Sequence, residues 1–124
     1  MTALLEHHLA ALHEQGLEME AHPQPDGWIF VVIRKYPLPE GYSKSHVDLV
    51  LKVPPPYPNA SLDMFWVDED LRLANGAMPS NTNIEHYMGR NWLRFSWHPR
   101  NWHPVKDTIG TFLAFVDRRL GMGN

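Results

Sequence analysis

An α+β domain built on an antiparallel sheet is predicted by three features of the sequence. An amphipathic helical stretch opens it, several short apolar runs bounded by turn residues fill its middle, and a second amphipathic stretch closes it. Consecutive strands flanked by helices give a sheet covered on one face, not the strand–helix alternation of a parallel sheet. With 124 residues, 44% of them hydrophobic and 20% charged, one packed domain over residues 1–124 is expected and a disordered chain is not.

Thr2 to Gln15 places Leu5, Leu9 and Leu12 at i, i+4 and i+7, with Leu4 and Ala11 widening the stripe, which is helical periodicity. Thr2 suits the N-cap, and Gly16 suits the left-handed residue beyond the last turn. Leu17 to Ala21 alternates apolar and polar residues as a half-buried strand does, and Asp26-Gly27 signals a turn into the run Trp28–Ile33. Tyr36 to Tyr42 contains Pro37 and Pro39 and reads as a rigid loop. Val47, Leu49, Leu51 and Val53 mark a third strand, Pro54-Pro55-Pro56-Tyr57-Pro58 an extended connector, and Leu62 to Val67 a fourth strand. A four-stranded antiparallel meander sheet is therefore expected. Asp68 to Met88 reads as a long irregular loop with at most a short helical turn, and loops of roughly 20 residues in compact domains are often functional. A C-terminal helix is predicted from Pro104. Val105, Ile109, Phe112, Leu113, Val116 and Leu120 form its stripe, Asp107 complements the positive end of its dipole, Arg118 and Arg119 lie in its last turn, and Gly121 ends it.

Composition narrows the chemistry. The absence of cysteine excludes disulfides, thiolate catalysis and thiolate-bound metal, and fits the cytoplasm. A net charge of −3 with no basic run argues against nucleic acid. The longest apolar runs, such as Trp28 to Ile33, are too short to span a bilayer. No cofactor is expected.

The residues most suited to recognition lie late in the chain. Trp92, Trp97 and Trp102 recur at five-residue intervals, interleaved with Arg90, Arg94 and Arg100. Aromatic and arginine side chains together dominate protein–protein contacts. The same mixture stacks on single-stranded nucleic acid, but the acidic net charge favours a protein; core packing of at least two of the tryptophans is the plainer alternative. Arg94 suits a carboxylate, either Asp107 within the fold or a partner's C-terminus. Ser96 is the nearest hydroxyl, and His98, two residues on, would share a strand face with it as a base. Otherwise both satisfy buried backbone groups. His98 and His103, with His86 or Asp107 as a third ligand, offer weak metal candidates, although their spacing matches no common zinc motif. The alternative is that His98 packs against Trp97 or Trp102 and bonds the backbone.

Four local motifs, in this order along the chain, carry a family resemblance. Pro56-Tyr57-Pro58, Asn81-Thr82-Asn83-Ile84, Gly89-Arg90-Asn91-Trp92-Leu93 and Trp102-His103-Pro104 resemble the Tyr-Pro, His-Pro-Asn-Ile, Gly-x-x-Cys-Leu and Trp-Ser-Pro motifs of the ubiquitin-conjugating (UBC) domain. The stretch Trp92 to His98, with Trp102 and Asp107, is most similar to a divergent branch, the prokaryotic family E of that superfamily. The resemblance covers nearly the whole chain and implies a UBC-like fold. It also implies a bacterial ubiquitin-like protein, its activating enzyme and a JAB-type isopeptidase as partners, with Asn83 as the retained asparagine. Trp92 stands where the thioester-forming cysteine would be. Conjugating enzymes need a nucleophile that also leaves readily, and an indole is neither. The expectation is a pseudoenzyme that binds or presents a ubiquitin-like tail along the surface from Asn83 to Trp102, through Trp92, Arg94, Trp97, Trp102, His103 and Asp107. The alternatives are a non-thiol acyl-transfer enzyme using Ser96, His98 and Asn83, or a generic protein-interaction domain.

Overall fold

A computed structural model describes residues 1–124. In chain order the elements are α1 (Ala3–Glu14), β1 (Glu18–Pro23), β2 (Ile29–Pro37), β3 (His46–Val53), β4 (Phe65–Asp68), β5 (Thr82–Tyr87), β6 (Arg90–Phe95) and α2 (Ile109–Gly121). The α+β class and both terminal helices are as predicted. The sheet has six antiparallel strands, not four, in the order β1-β2-β3-β4-β6-β5. No helix is long and apolar enough to cross a membrane.

The two additional strands occupy the end of the expected irregular loop and the segment after it. β5 and β6 form a hairpin whose two turn residues, Met88 (φ 52°) and Gly89 (φ 77°), are both left-handed, as a type I′ turn requires. β5 eludes a periodicity reading because it is an edge strand with no fully buried face. β6 eludes it because Trp92 and Leu93 are both buried, one on each face of the sheet.

Both helices pack on one face. Leu5, Leu9 and Leu12 of α1 and Ile109, Phe112, Leu113, Val116 and Leu120 of α2 join Val31, Leu49, Phe65, Leu93 and Phe95 in a 23-residue core. The proline connector is part of this core. The Tyr57 hydroxyl accepts from Ile109 N at 2.7 Å and bonds His8 Nδ1 at 2.8 Å, while Trp102 Nε1 donates to Pro58 O at 2.8 Å. One connector thus fastens both helices.

α2 starts five residues after Pro104. Thr108 is its cap, accepting from Gly110 N and Thr111 N, and Thr111 Oγ1 accepts from Thr108 N in return. Residues before the cap form a separate turn in which the Asp107 carboxylate accepts from His103 N at 2.7 Å. Val105 is 98% exposed and lies outside the stripe assigned to it.

The opposite face of the sheet carries no helix. Val32, Val50, Trp66 and Trp92 form a second small core there, flanked by Phe30, Met64 and Tyr87. The ammonium of Lys52 sits 3.2 Å from the Tyr87 ring centroid, 4.0 Å from Trp66 and 5.0 Å from Phe30. Burial pushes this group from 10.5 down to about 8, against the pull of Glu85. Toward β1 the face becomes a ladder of ion pairs running Glu20–Arg34–Asp48 and Arg90–Asp68–Lys44.

Arg119 lies in the last turn of α2 as expected and is only 2% exposed. Its Nη2 donates to Ser80 O at 2.8 Å and Nη1 to Gly123 O at 3.2 Å. Its guanidinium lies 5.0 Å from the Phe95 ring centroid and 5.6 Å from that of Trp97. No carboxylate pairs with it, and desolvation lowers its pKa.

Two outcomes follow from these buried cations. Arg119→Met strands two carbonyls, so urea unfolding should show a loss of about 1–3 kcal/mol; an unchanged midpoint would contradict the bonding described. Lys52 releases its proton near pH 8 when folded but holds it to 10.5 when unfolded. The unfolded chain therefore binds more protons in that window, and this residue's contribution makes stability rise with pH from about 8 to 10.5. The stability difference between wild type and Lys52→Met, measured across that range, should carry this slope; a flat difference would refute it.

Candidate functional site

The predicted site residues do not form one surface. Side chains alternate along β6, so Trp92 and Arg94 face away from the helices while Leu93 and Phe95 face the core. After Phe95 the chain leaves the sheet on the helical side, carrying Trp97 to Asp107 with it. The sheet therefore separates Asn83, Trp92 and Arg94 from Trp97, His98, Trp102, His103 and Asp107.

On the outer side, Arg94 organises the cluster. Its Nη1 pairs with Glu85 Oε2 at 2.5 Å and its Nε donates to Ser96 Oγ at 3.1 Å. With the Asn83 amide oriented to donate to Thr82 O at 3.3 Å, the Asn83 side-chain oxygen accepts from Arg94 Nη2 at 3.1 Å. The carboxylate that Arg94 holds within the fold is thus Glu85 from the neighbouring strand, in place of Asp107. Burial alone would raise the Glu85 carboxyl, but the bond from Trp66 Nε1 and the charges of Arg94 and Lys52 outweigh it and hold the group below its usual value.

Trp92 is 2% exposed. Its Nε1 donates to Tyr87 O at 3.0 Å, and the Arg90 guanidinium lies 3.9 Å from its ring centroid. The position that resembles the family's cysteine is a packed point on a strand. Two of the tryptophans singled out by their spacing, Trp92 and Trp102, are tied into the fold by their indole donors.

Ser96 and His98 make no hydrogen bond to one another. Ser96 Oγ accepts from Arg94, which cannot take up a proton. His98 Nδ1 bonds Asp63 Oδ1 at 2.6 Å. The histidines are likewise dispersed: His86 Nδ1 bonds Asn91 on the hairpin, His98 bonds Asp63, and His103 is exposed on its turn. No three His, Asp or Glu side chains come together where they could hold a metal ion.

On the helical side, where β6 ends, a groove of about 600 Å³ opens between the Ser96–Asn101 segment and α2, lined among others by Asn81, Ser96, Trp97, His98, Arg100 and Arg118. Trp97 packs against Phe115 with ring centroids 6.1 Å apart. Its Nε1 is buried and has no acceptor. Arg119 lies beneath it. Arg100 and Arg118 form no ion pair, and the lining contains no carboxylate. Asp63, at the rim, is already engaged by His98. The groove thus gathers positive charge and an idle donor with no carboxylate in its own lining; Asp107 shares only the adjoining cavity with Arg100 and Arg118 and forms no ion pair with either. Trp102, Asp107 and Arg100 line an adjoining cavity of about 300 Å³.

Arg118, Arg119 and Asn81 were missed as site residues by sequence reasoning. For Arg119 a signal existed: it lies seven residues after Phe112 and three after Val116, on the buried stripe of α2.

The geometry agrees with the comparisons with known proteins. The model of prokaryotic E2 family E matches residues 4–122, a span that contains every strand and nearly all of both helices. No curated protein and no solved structure matches the chain. A match over almost the entire length, on an α+β frame with a helix at each end, shows that this chain belongs to the prokaryotic E2 family E.

Proposed function

We propose that this UBC-like domain acts in a ubiquitin-like modification pathway as a pseudoenzyme, binding a bacterial ubiquitin-like protein and presenting its C-terminal tail without carrying it covalently. The activating enzyme and a JAB-type isopeptidase of such a pathway, in the cytoplasm, are the further partners. The observation that carries this reading is the groove at Trp97, where Arg100 and Arg118 form no ion pair and a buried indole donor has no acceptor. A protein tail ends in a carboxylate, which accepts from several donors at once and pairs well with a guanidinium. The presentation surface is accordingly the helical-side stretch of Trp97, Arg100, Trp102 and Arg118. Trp92, Arg94 and Asn83 serve the sheet. Covalent transfer through Ser96 is the weaker reading, because the group bonded to its hydroxyl is an arginine and not a base.

Titration calorimetry with a ubiquitin-like protein from the same genome tests the reading. Arg100→Glu and Arg118→Glu should each weaken binding by roughly tenfold or more, since each replaces an attraction by a repulsion. Removing the partner's last residues should abolish binding. Affinities that ignore both arginines would sink the proposal.

The missing thiol gives a second test. Trp92→Cys should cost about 3–5 kcal/mol of stability by emptying a packed site. The new thiol, buried on a strand, should stay unreactive toward thiol reagents in the folded protein. It should also form no thioester when the activating enzyme, ATP and the ubiquitin-like protein are added. A thioester adduct seen by mass spectrometry would show that the position is a catalytic one after all.

A further inference from the structure

β5 is an outermost strand of the sheet. Its hairpin to β6 has a two-residue turn, so Tyr87 and Arg90 exchange both main-chain bonds, as do the alternate pairs Glu85/Trp92 and Asn83/Arg94. The main-chain groups of Thr82, Ile84 and His86 therefore point away from β6, where no strand receives them. The other edge is blunted: β1 carries Glu18, Glu20 and Pro23, the charged and proline residues that keep sheet edges from pairing. β5 has neither a proline, a lysine nor a bulge, its one carboxylate, Glu85, is bonded to Arg94 and Trp66, and it exposes Ile84 to 44%.

The two ends of β5 differ. The Thr82 end opens directly on the groove, since Asn81 lines it and Asn81 O accepts from Ser96 N at 2.9 Å. There Arg100 and Arg118 are unpaired and the Trp97 indole lacks an acceptor. The Tyr87 end is the hairpin turn, and its nearest arginine, Arg90, already pairs with Asp68 at 3.1 Å. An added strand running antiparallel to β5 would finish at the basic end; a parallel one would finish at the turn.

We propose that β5 accepts a partner's extended carboxyl-terminal segment as a seventh strand, antiparallel to it, so that the terminal carboxylate lands between Arg100 and Arg118. This inference rests on the tail-binding function proposed above and adds how the tail is held. Main-chain bonds to Thr82, Ile84 and His86 supply sequence-independent attachment, and the carboxylate fixes direction and register.

The probe is a synthetic peptide of alternating valine and threonine, as long as β5, with a free carboxylate and a spin label at its amino end. Nuclear magnetic resonance should show the Thr82, Ile84 and His86 amides protected from exchange by roughly tenfold or more, with Asn83, Glu85 and Tyr87 unchanged. The label should broaden Met88 and Gly89. The same peptide ending in a carboxamide should bind roughly tenfold more weakly. Ile84→Pro, which removes an outward N–H while sparing the bonds to β6, should abolish edge protection. If the peptide shifts the Trp97 indole while the three amides stay unprotected, or if the label broadens Asn81 instead, strand addition is overturned and tail binding stands. A peptide that disturbs neither the indole nor the amides overturns both.

Discussion

A guanidinium buried without a carboxylate must find its partners elsewhere, and much of the structure around α2 answers to that demand. Arg119 is satisfied by the main-chain oxygens of Ser80 and Gly123 and by the faces of Phe95 and Trp97. Leaving such a group unbonded in the interior is costly. Its bonds hold the segment entering β5, the end of β6 and the chain after α2 in fixed relation. The groove opens beside that convergence, between the Ser96–Asn101 segment and α2. Its positive character comes from Arg100 and Arg118 in its lining, with the Arg119 guanidinium behind Trp97.

The sheet imposes the second constraint. Its middle strands are packed on both faces, by the helices on one side and by the Trp66–Trp92 cluster on the other. On the outer face a cavity of about 340 Å³ lies against Trp92, Arg34 and Arg90, yet Trp92 is only 2% exposed. Trp92 fills its place with an indole that bonds Tyr87 O, so the position presents a packed ring and no reactive atom. The position that resembles the family's cysteine is thus closed by the residue that occupies it. The segment that leaves the sheet differs: Trp97 and Arg100 line an open groove there with Arg118.

The parts of the fold that repeat with a clear period were legible. Leu5, Leu9 and Leu12 revealed α1, and the alternation from Val47 to Val53 revealed β3, because each buries one stripe or face. β5 was not legible, since an edge strand with polar neighbours buries too little to show alternation. The start of α2 was misplaced at Pro104 because proline and Val105 imitate a helical onset, while the capping box of Thr108 and Thr111 decides it. At the site, the interleaved tryptophans and arginines were visible as a pattern. Their separation by the sheet was not, because a period of five does not show where a strand ends and the chain turns to the other side. Arg119 was placed with Arg118 in the last turn, and two adjacent arginines at a helix end do not show that one of them is buried.

The Tyr57 hydroxyl is placed between Ile109 N and His8 Nδ1. It takes the amide's hydrogen and bonds the imidazole with either its own proton or its remaining lone pair, according to the His8 tautomer. Burial already holds the His8 pKa below its ordinary value. Acidification would place a charge on this partly buried ring beside His7, and the folded joint disfavours that charge. The joint between the first helix and the proline connector is therefore an acid-labile seam, set apart from a sheet whose two packed faces are indifferent to that proton.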